Sequence, residues 1–344
     1  MAEDRVLRTK RLKMADIARM SGVSISTVSR ALSGSPLIPE ATRDMIAEIA
    51  KTQGYVINPF ARGLRLQRTQ TIGVVIPLGH GGGQLITDPF FLEMLGRLAD
   101  EITLRGYEIL LSKIAPPKPG WLDRLIQAQR TDGLVIIGQS DQHEALNLAA
   151  EDYPPLVVWG AHLPKQNYCV VGLDNVAGGR MATEHLISLG RRRIAFLGDP
   201  NLPEIGQRHE GYLEACRSAG LVYDPDLDAP VAFTARTAEE AAARFVAAHP
   251  DFDGLFAASD VIALAAIDAL KRSGRRVPED VAVVGFDDST IAAHTHPPLT
   301  TVRQDLALAA KLMIDHLFER IDEGRPMGTT LTPELIVRGS SVSA

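Results

Sequence analysis

Between residues 14 and 53 apolar positions recur at helical spacing, and from residue 71 onward short continuous apolar runs alternate with helical stretches. The first texture predicts three helices. In MADIARMSGVSISTVSRALS (14–33), Ile17, Ala18, Val23, Val28 and Leu32 form a set that two crossing helices can share. Ser21-Gly22-Val23 separates the pair, and glycine at 22 adopts positive φ without steric cost where a chain leaves a helix. Ser24 is placed to cap the second helix by accepting a backbone N–H. Pro39-Glu40 opens a third helix running to about Gln53, with Met45, Ile46, Ile49 and Ala50 at helical spacing and Gly54 as its stop. Asn58-Pro59 then reads as a cap followed by proline at the first helical position. Residues 58–65 have room for about two turns, too few to be stable alone in water.

The second texture predicts strands at 71–77, 107–112, 133–138 and 155–160, with helices near 90–105, near 121–130 and before 155. The rhythm restarts near 170, with strands at 169–174, 193–198, near 231–233, 254–259 and 281–288. Helices at 176–189, 207–219, 237–248 and 260–273 lie between them. Strand–helix alternation of this kind builds parallel sheets covered on both faces. Two similar halves imply two α/β lobes with a cleft between them, and ligands bind outside the carboxyl ends of such strands. The glycine-rich stretch Gly79–Asp88 is a lip of that cleft.

A chain of 344 residues holds two or three domains, and 45% hydrophobic content is ample for buried cores. No apolar run approaches the roughly 18 residues of a membrane span. The basic N-terminus lacks the apolar segment of a secretory signal, and Cys169 and Cys216 have no metal or redox spacing, so a cytoplasmic protein is expected. The net charge of −6 argues against nucleic acid, but its distribution points the other way. Residues 1–70 carry 12 Lys+Arg against 6 Asp+Glu, and the remaining 274 carry 24 against 36. A basic head on an acidic body suits a DNA-binding module joined to a domain that does not touch DNA. Ile25, Ser26, Ser29 and Arg30 fall on the outer face of the second helix, where small polar side chains and an arginine suit base edges in a major groove.

Catalytic and metal readings fail on spacing. GHGGG (79–83) has no nucleophile elbow to serve, and His294-Thr295-His296 lacks a third ligand. Asp287 and Asp288 leave a strand end in different directions and cannot easily serve one reaction centre. No enzyme and no metal are expected.

Over its whole length the chain resembles the LacI/GalR family of bacterial transcription regulators. DIARMSGVSISTVSRALSG (16–34) is similar to the family's N-terminal signature and GYVINPFARGLR (54–65) to its hinge. DPFF (88–91) resembles its first cleft loop, RHEGY (208–212) its R-x-x-G-[FY] motif, VVGFDD (283–288) its late strand–loop, and PPLTTVRQD (297–305) its return crossover between lobes.

The resemblance implies an all-α helix-turn-helix head at 1–57, a hinge at 58–70 and a two-lobed periplasmic-binding-protein-like α/β body at 71–344 with two parallel doubly wound sheets. The first lobe would comprise 71–168 and 303–328, and the second 169–302 and 329–344. In the head, Ile25, Ser26 and Arg30 would read bases with Ser29 nearby, while Ser24, Thr27 and Lys13 would meet the DNA backbone. In the hinge, Asn58 caps, Ala61 permits close approach across a homodimer, and Leu64 enters the minor groove as an apolar wedge. In the body, Arg208 and Asp287 would be paired anchors for an effector, with Phe90, Phe91, Trp159, Ser259 and Gln304 around it. Trp159, at the end of its strand, should point into the cleft mouth, and one of the two phenylalanines belongs to the core.

Lys13 stands where the family caps its first helix with Thr or Ser, Trp159 where several relatives carry Asp, and Arg236 where an aromatic is common. The expected partners are a near-palindromic operator, a second copy of the chain and a small-molecule effector, with no membrane and no cofactor. The effector is expected to be a saccharide; the alternatives are a purine-type corepressor acting on the same architecture, or a transport-type sugar-binding protein. Ligand between the lobes would change their angle, and the hinge segments would carry that change to operator affinity.

Overall fold

A computed structural model of the chain describes residues 12–55, 68–78, 85–231, 235–325 and 328–342. It divides into two compact units, Met1–Thr69 and Gln70–Ala344. Asn58, Ala61 and Leu64 lie outside the described residues, as does most of the glycine-rich stretch 79–84.

The smaller unit packs three helices, α1 (Met14–Ser21), α2 (Ile25–Leu32) and α3 (Glu40–Thr52), around Ile17, Ala18, Val28, Ala31 and Ile46. Val23, Leu32, Ile38, Ile49 and Tyr55 close the edges of that core. Met45, expected inward, is 42% exposed, because Ile46, Ile49 and Ala50 already complete the buried stripe one turn apart. Gly22 ends α1 at φ 68°, as the turn requires. At the start of α1 the Lys13 N–H donates to the Asp16 carboxylate at 3.0 Å, the bond a carboxylate at the third helical position makes back to the cap residue, although Lys13 itself offers no hydroxyl to the first-turn N–H groups. Ser24 caps α2 by accepting the Thr27 N–H at 3.1 Å. Ser24→Ala is therefore expected to cost about 1 kcal/mol, read as an earlier unfolding midpoint in urea. A variant as stable as the parent would show that the cap is redundant.

The larger unit holds two six-stranded sheets. The first contains β1 (Thr71–Pro77), β2 (Glu108–Ile114), β3 (Gly133–Ile137), β4 (Leu156–Trp159), β5 (Cys169–Leu173) and β11 (Gly328–Leu331), in spatial order β11-β5-β4-β3-β1-β2 and parallel throughout. The second contains β6 (Ile194–Leu197), β7 (Asp228–Ala229), β8 (Gly254–Ala257), β9 (Ala282–Asp287), β10 (Thr300–Arg303) and β12 (Glu334–Ile336), ordered β12-β10-β9-β8-β6-β7. Its edge strand β12 runs antiparallel to β10, so this sheet is not purely parallel. The helices of the first lobe are α4 (Pro89–Leu104), α5 (Trp121–Gln127), α6 (His143–Asp152) and α11 (Leu306–Ile321). Those of the second are α7 (Asn175–Ser188), α8 (Pro203–Ser218), α9 (Ala235–Ala248) and α10 (Asp260–Arg272).

Two expectations need correction. Cys169–Leu173 does not open the second lobe: it lies between β4 and β11 in the first sheet. A Cβ on Gly172 would stand 1.8 Å from the Gly160 carbonyl oxygen, so the glycine lets the two segments close, and the Gly160 N–H donates to the Val171 carbonyl at 3.2 Å. The chain thus passes between lobes around residue 174, around 304–305 and around 332–333, and the second lobe regains it at β12 rather than at 329. Residues 232 and 233 of the strand expected near 231–233 lie outside the described residues; β7, at Asp228–Ala229, pairs with Phe196 and Leu197.

The central strands are buried on both faces, which is why their sequences read as unbroken apolar runs. Among the described residues no helix is long and apolar enough to cross a membrane, and no group of His, Cys, Asp and Glu has the makings of a metal site.

Candidate functional site

The first candidate surface is the outer face of α2. Ile25 is 52% exposed, Ser26 and Arg30 are exposed, and Thr27 and Ser29 are half-buried. Val28 and Ala31 turn the other way, into the head's core. The Ser24, Ser26 and Thr27 hydroxyls lie together at the start of the helix, with Ser24 Oγ 2.7 Å from Ser26 Oγ and 2.8 Å from Thr27 Oγ1. A helix N-terminus dressed with hydroxyls and exposed N–H groups suits phosphate oxygens, while Ile25 and Arg30 present apolar and donor groups beyond it.

The second candidate lies at the carboxyl ends of the body's strands. Asp88 caps α4 by accepting the Phe90 N–H at 3.0 Å, and Pro89 occupies the first helical position. That cap sets the two rings: Phe91 turns into the core at 7% exposure, and Phe90 stays half-buried, 5.5 Å from Phe91 and 6.4 Å from Trp159. Trp159, expected at the mouth of the cleft, is 4% exposed because β4 is an inner strand and Phe90 covers it.

From the second lobe comes Arg208, one-and-a-half turns into α8 and only 5% exposed. Its Nε donates to Asn175 Oδ1 at 2.9 Å, its Nη1 to the Ala258 carbonyl at 2.6 Å, and its guanidinium stacks on Phe286 at 3.7 Å. Asp287, the last residue of β9, accepts from Gln304 Nε2 at 2.6 Å and has φ 122°, a backbone region that L residues rarely adopt. Arg208 and Asp287 do not bond each other directly. They are coupled through space: burial and the neighbouring Asp260 hold the Asp287 carboxyl well above the usual carboxylate range, opposed by the Arg208 cation. Burial in turn lowers Arg208, opposed by Asp287, Glu204 and Asp260. Asp88 also adds to the field at Asp287, so a carboxylate from each lobe faces the same space.

Ser259, an expected residue, and its neighbour Asp260 have structural duties. Ser259 caps α10 by accepting the Ile262 N–H at 3.3 Å and is 3% exposed. Asp260 is buried behind it and accepts from the Ser289 N–H and hydroxyl, both at 2.8 Å, and from Thr301 Oγ1 at 2.6 Å. Asp88 and Asn175 were not expected at the site. Asp88 was legible only as part of DPFF, the stretch that resembles the family's first cleft loop; nothing local marks Asn175, which meets Arg208 across 33 positions.

Burial raises Asp88 to about 6. A carboxyl raised on folding stabilises the fold below its unfolded value and loses that contribution as pH climbs through its folded value. Asp88→Asn keeps the cap and removes the titration. The stability of the parent relative to Asp88→Asn is expected to fall by about 1 kcal/mol between pH 4 and 6.5, allowing for the partly exposed side chain. Parallel stability profiles would contradict this.

Two family models match the chain. Residues 13–58 match "Bacterial regulatory proteins, lacI family", and residues 183–341 match "Periplasmic binding protein-like domain". The HTH-type transcriptional regulator CelR of Thermobifida fusca is 35% identical over 342 residues, spanning 97% of this chain and 99% of that one. The HTH-type transcriptional repressor PurR of Haemophilus influenzae is 30% identical, spanning 94% and 97%. Among solved structures, a transcriptional regulator CelR–cellobiose complex is 33% identical with a TM-score of 0.71, covering 96% of this chain and 100% of that one. The fold is also that of a lac repressor dimer bound to operator and an anti-inducer, at 22% identity and a TM-score of 0.84, covering 97% of this chain and 100% of that one. With a helix-turn-helix head, a two-lobed body and relatives matched from end to end, this chain belongs to the lacI family of bacterial regulatory proteins and is a DNA-binding transcriptional regulator.

Proposed function

We propose that this regulator controls a carbohydrate-utilisation operon, with a saccharide of the cellobiose type as the effector bound between its lobes. One observation supports the reading: Phe90 packs over Trp159 in the first lobe, and the Asp88 carboxyl beside it acts through space on Asp287, which in the second lobe bonds Gln304 and feels the Arg208 cation. Sugar rings offer a C–H face to aromatic rings and a rim of hydroxyls that both donate and accept. Carboxylates at Asp88 and Asp287 accept from hydroxyls, while the Arg208 fork and the Gln304 amide donate. The relative solved with cellobiose supports the choice of that sugar.

Ser259, with its hydroxyl engaged in a helix cap, has a supporting role, and Phe91 backs Phe90 from the core. At the other end, Ile25, Ser26 and Arg30 read base edges and Ser24, Thr27 and Ser29 contact phosphates. The working form is a homodimer on a near-palindromic operator in the cytoplasm, because a two-fold protein is matched by two-fold half-sites. The head is 1–57 and the hinge 58–70. It acts as a sensor, with neither cofactor nor catalysis.

Isothermal titration against cellobiose, cellotriose, glucose and hypoxanthine tests the effector, with release of a fluorescent operator fragment as the functional readout. Cellobiose or cellotriose is expected to bind and to change operator affinity by about 5- to 150-fold. Binding of hypoxanthine alone would move the regulator to the corepressor class.

A further inference from the structure

The structure places a second aspartate, Asp288, directly behind the effector anchor, and it does not face the cleft. Its carboxylate is 9% exposed. Oδ2 accepts from Arg303 Nε at 2.7 Å, Oδ1 accepts from Arg338 Nη2 at 2.7 Å, and its N–H donates to Thr301 Oγ1 at 3.2 Å. Asp287 and Asp288 both have positive φ, 122° and 54°. Two successive L residues in that half of the map are strained and persist only where their surroundings over-determine them.

The partners of Asp288 come from particular places. Arg303 is the last residue of β10, before the chain crosses to the first lobe, and its Nη1 also donates to Glu334 Oε2 at 2.8 Å. Glu334 is the first residue of β12, after the chain has crossed back. Gln304, beside Arg303, donates its amide to the Asp287 carboxylate and its N–H to the Asp287 carbonyl at 3.3 Å.

We propose that Asp288 is a positioning residue for the effector cleft: its paired bonds to Arg303 and Arg338 hold the strained end of β9 so that Asp287 meets Gln304, and tie that anchor to two of the strands crossing between the lobes. This rests on the reading of the cleft as the effector site. Charge-assisted bonds of this kind are about twice as strong as neutral ones, and support from behind is what keeps a binding group in place. The link also gives the cleft a direct mechanical connection to the interlobe crossings, without passing through either core.

The test compares the full chain with Asp288→Asn, Arg338→Gln and the exposed control Asp268→Asn. Amide hydrogen exchange of the effector-free proteins is read at Gln304, with β8 as the internal reference. In Asp288→Asn, Gln304 is expected to exchange at least about tenfold faster with β8 unchanged, and cellobiose to bind about tenfold more weakly. Operator affinity without sugar should stay within about twofold of the parent, since the head is intact. Asp268→Asn, on α10 with its carboxylate 50% exposed, should stay within about twofold in every measurement.

Unchanged exchange at Gln304 in Asp288→Asn overturns the proposal, and so does a cellobiose affinity within twofold of the parent despite faster exchange. If Asp288→Asn does not fold, Arg338→Gln decides by the same readouts, and parental exchange there overturns it. A parent that fails to bind cellobiose counts against the saccharide reading alone, because the exchange arm needs no ligand.

Discussion

Arg208→Met is expected to lose about 3 kcal/mol of stability and at least about 100-fold in saccharide affinity. The side chain is 5% exposed, and it serves two surfaces at once. Toward the protein it satisfies Asn175 Oδ1 and the Ala258 carbonyl and lies flat on Phe286. Toward the cleft it is the cation that offsets Asp287 and Asp260. Methionine fills the volume and covers the ring but leaves two buried acceptors unpaired and the carboxylates uncompensated. The loss has a pH signature. Without the cation, Asp287 rises further above the carboxylate range, so the variant holds that proton more tightly folded than unfolded. Its stability should therefore go on falling, as pH rises, beyond the point at which the parent's levels off. Arg208→Lys keeps the charge but loses the fork and the stacking, and should recover part of the stability and little of the binding. Urea unfolding at two pH values, with titration calorimetry, checks both halves. Parental affinity in Arg208→Met would remove Arg208 from the site.

The second large effect is expected at a glycine. Helices α7 and α8 pack backbone against backbone: a Cβ on Gly179 would lie 2.0 Å from the Arg208 carbonyl oxygen, and one on Gly211 would lie 2.0 Å from the Val176 carbonyl oxygen. The obstructing atoms are main chain, so no rotamer change relieves the clash. Gly179→Ala must push α8 outward, and Arg208 moves with it. The expected cost is about 3 kcal/mol, at the upper end for overpacking, together with a loss of cellobiose binding that a mutation outside the cleft would not otherwise cause. Gly96 in α4 is the control, with nothing within 4 Å of its built Cβ. Gly96→Ala should stabilise by about 0.5–1 kcal/mol through helix propensity. Denaturant midpoints of the two variants are predicted to move in opposite directions; equal shifts would refute the close-packing argument.

Much of the architecture was legible because it is written in local pattern. Continuous apolar runs such as TIGVVIP and GLVII became inner strands, since a strand covered on both faces has no polar side to alternate with. Caps were legible for the same reason: Ser24 and Gly22 act within a few positions of themselves. The assignment of Cys169–Leu173 was not legible. Its sequence is that of any buried strand, and membership in the first sheet depends on β4 and on β11, about 160 positions further along.

The candidate site divides the same way. Arg208 and Asp287 were visible through short motifs, and Asp88 only as part of the stretch DPFF, all by resemblance to a family. The amino-acid sequence by itself determined the basic head on an acidic body, the helix-turn-helix and the two-lobed α/β body. These follow from composition and from contacts within a turn or a strand. Tertiary structure alone decided that Arg208 answers to Asn175 and Ala258, that Asp260 answers to Ser289 and Thr301, and that Asp288 turns away from Asp287 to bind Arg303 and Arg338. Those bonds join residues 15 to 50 positions apart, and a polar side chain acquires its partner only when the chain has brought the two together.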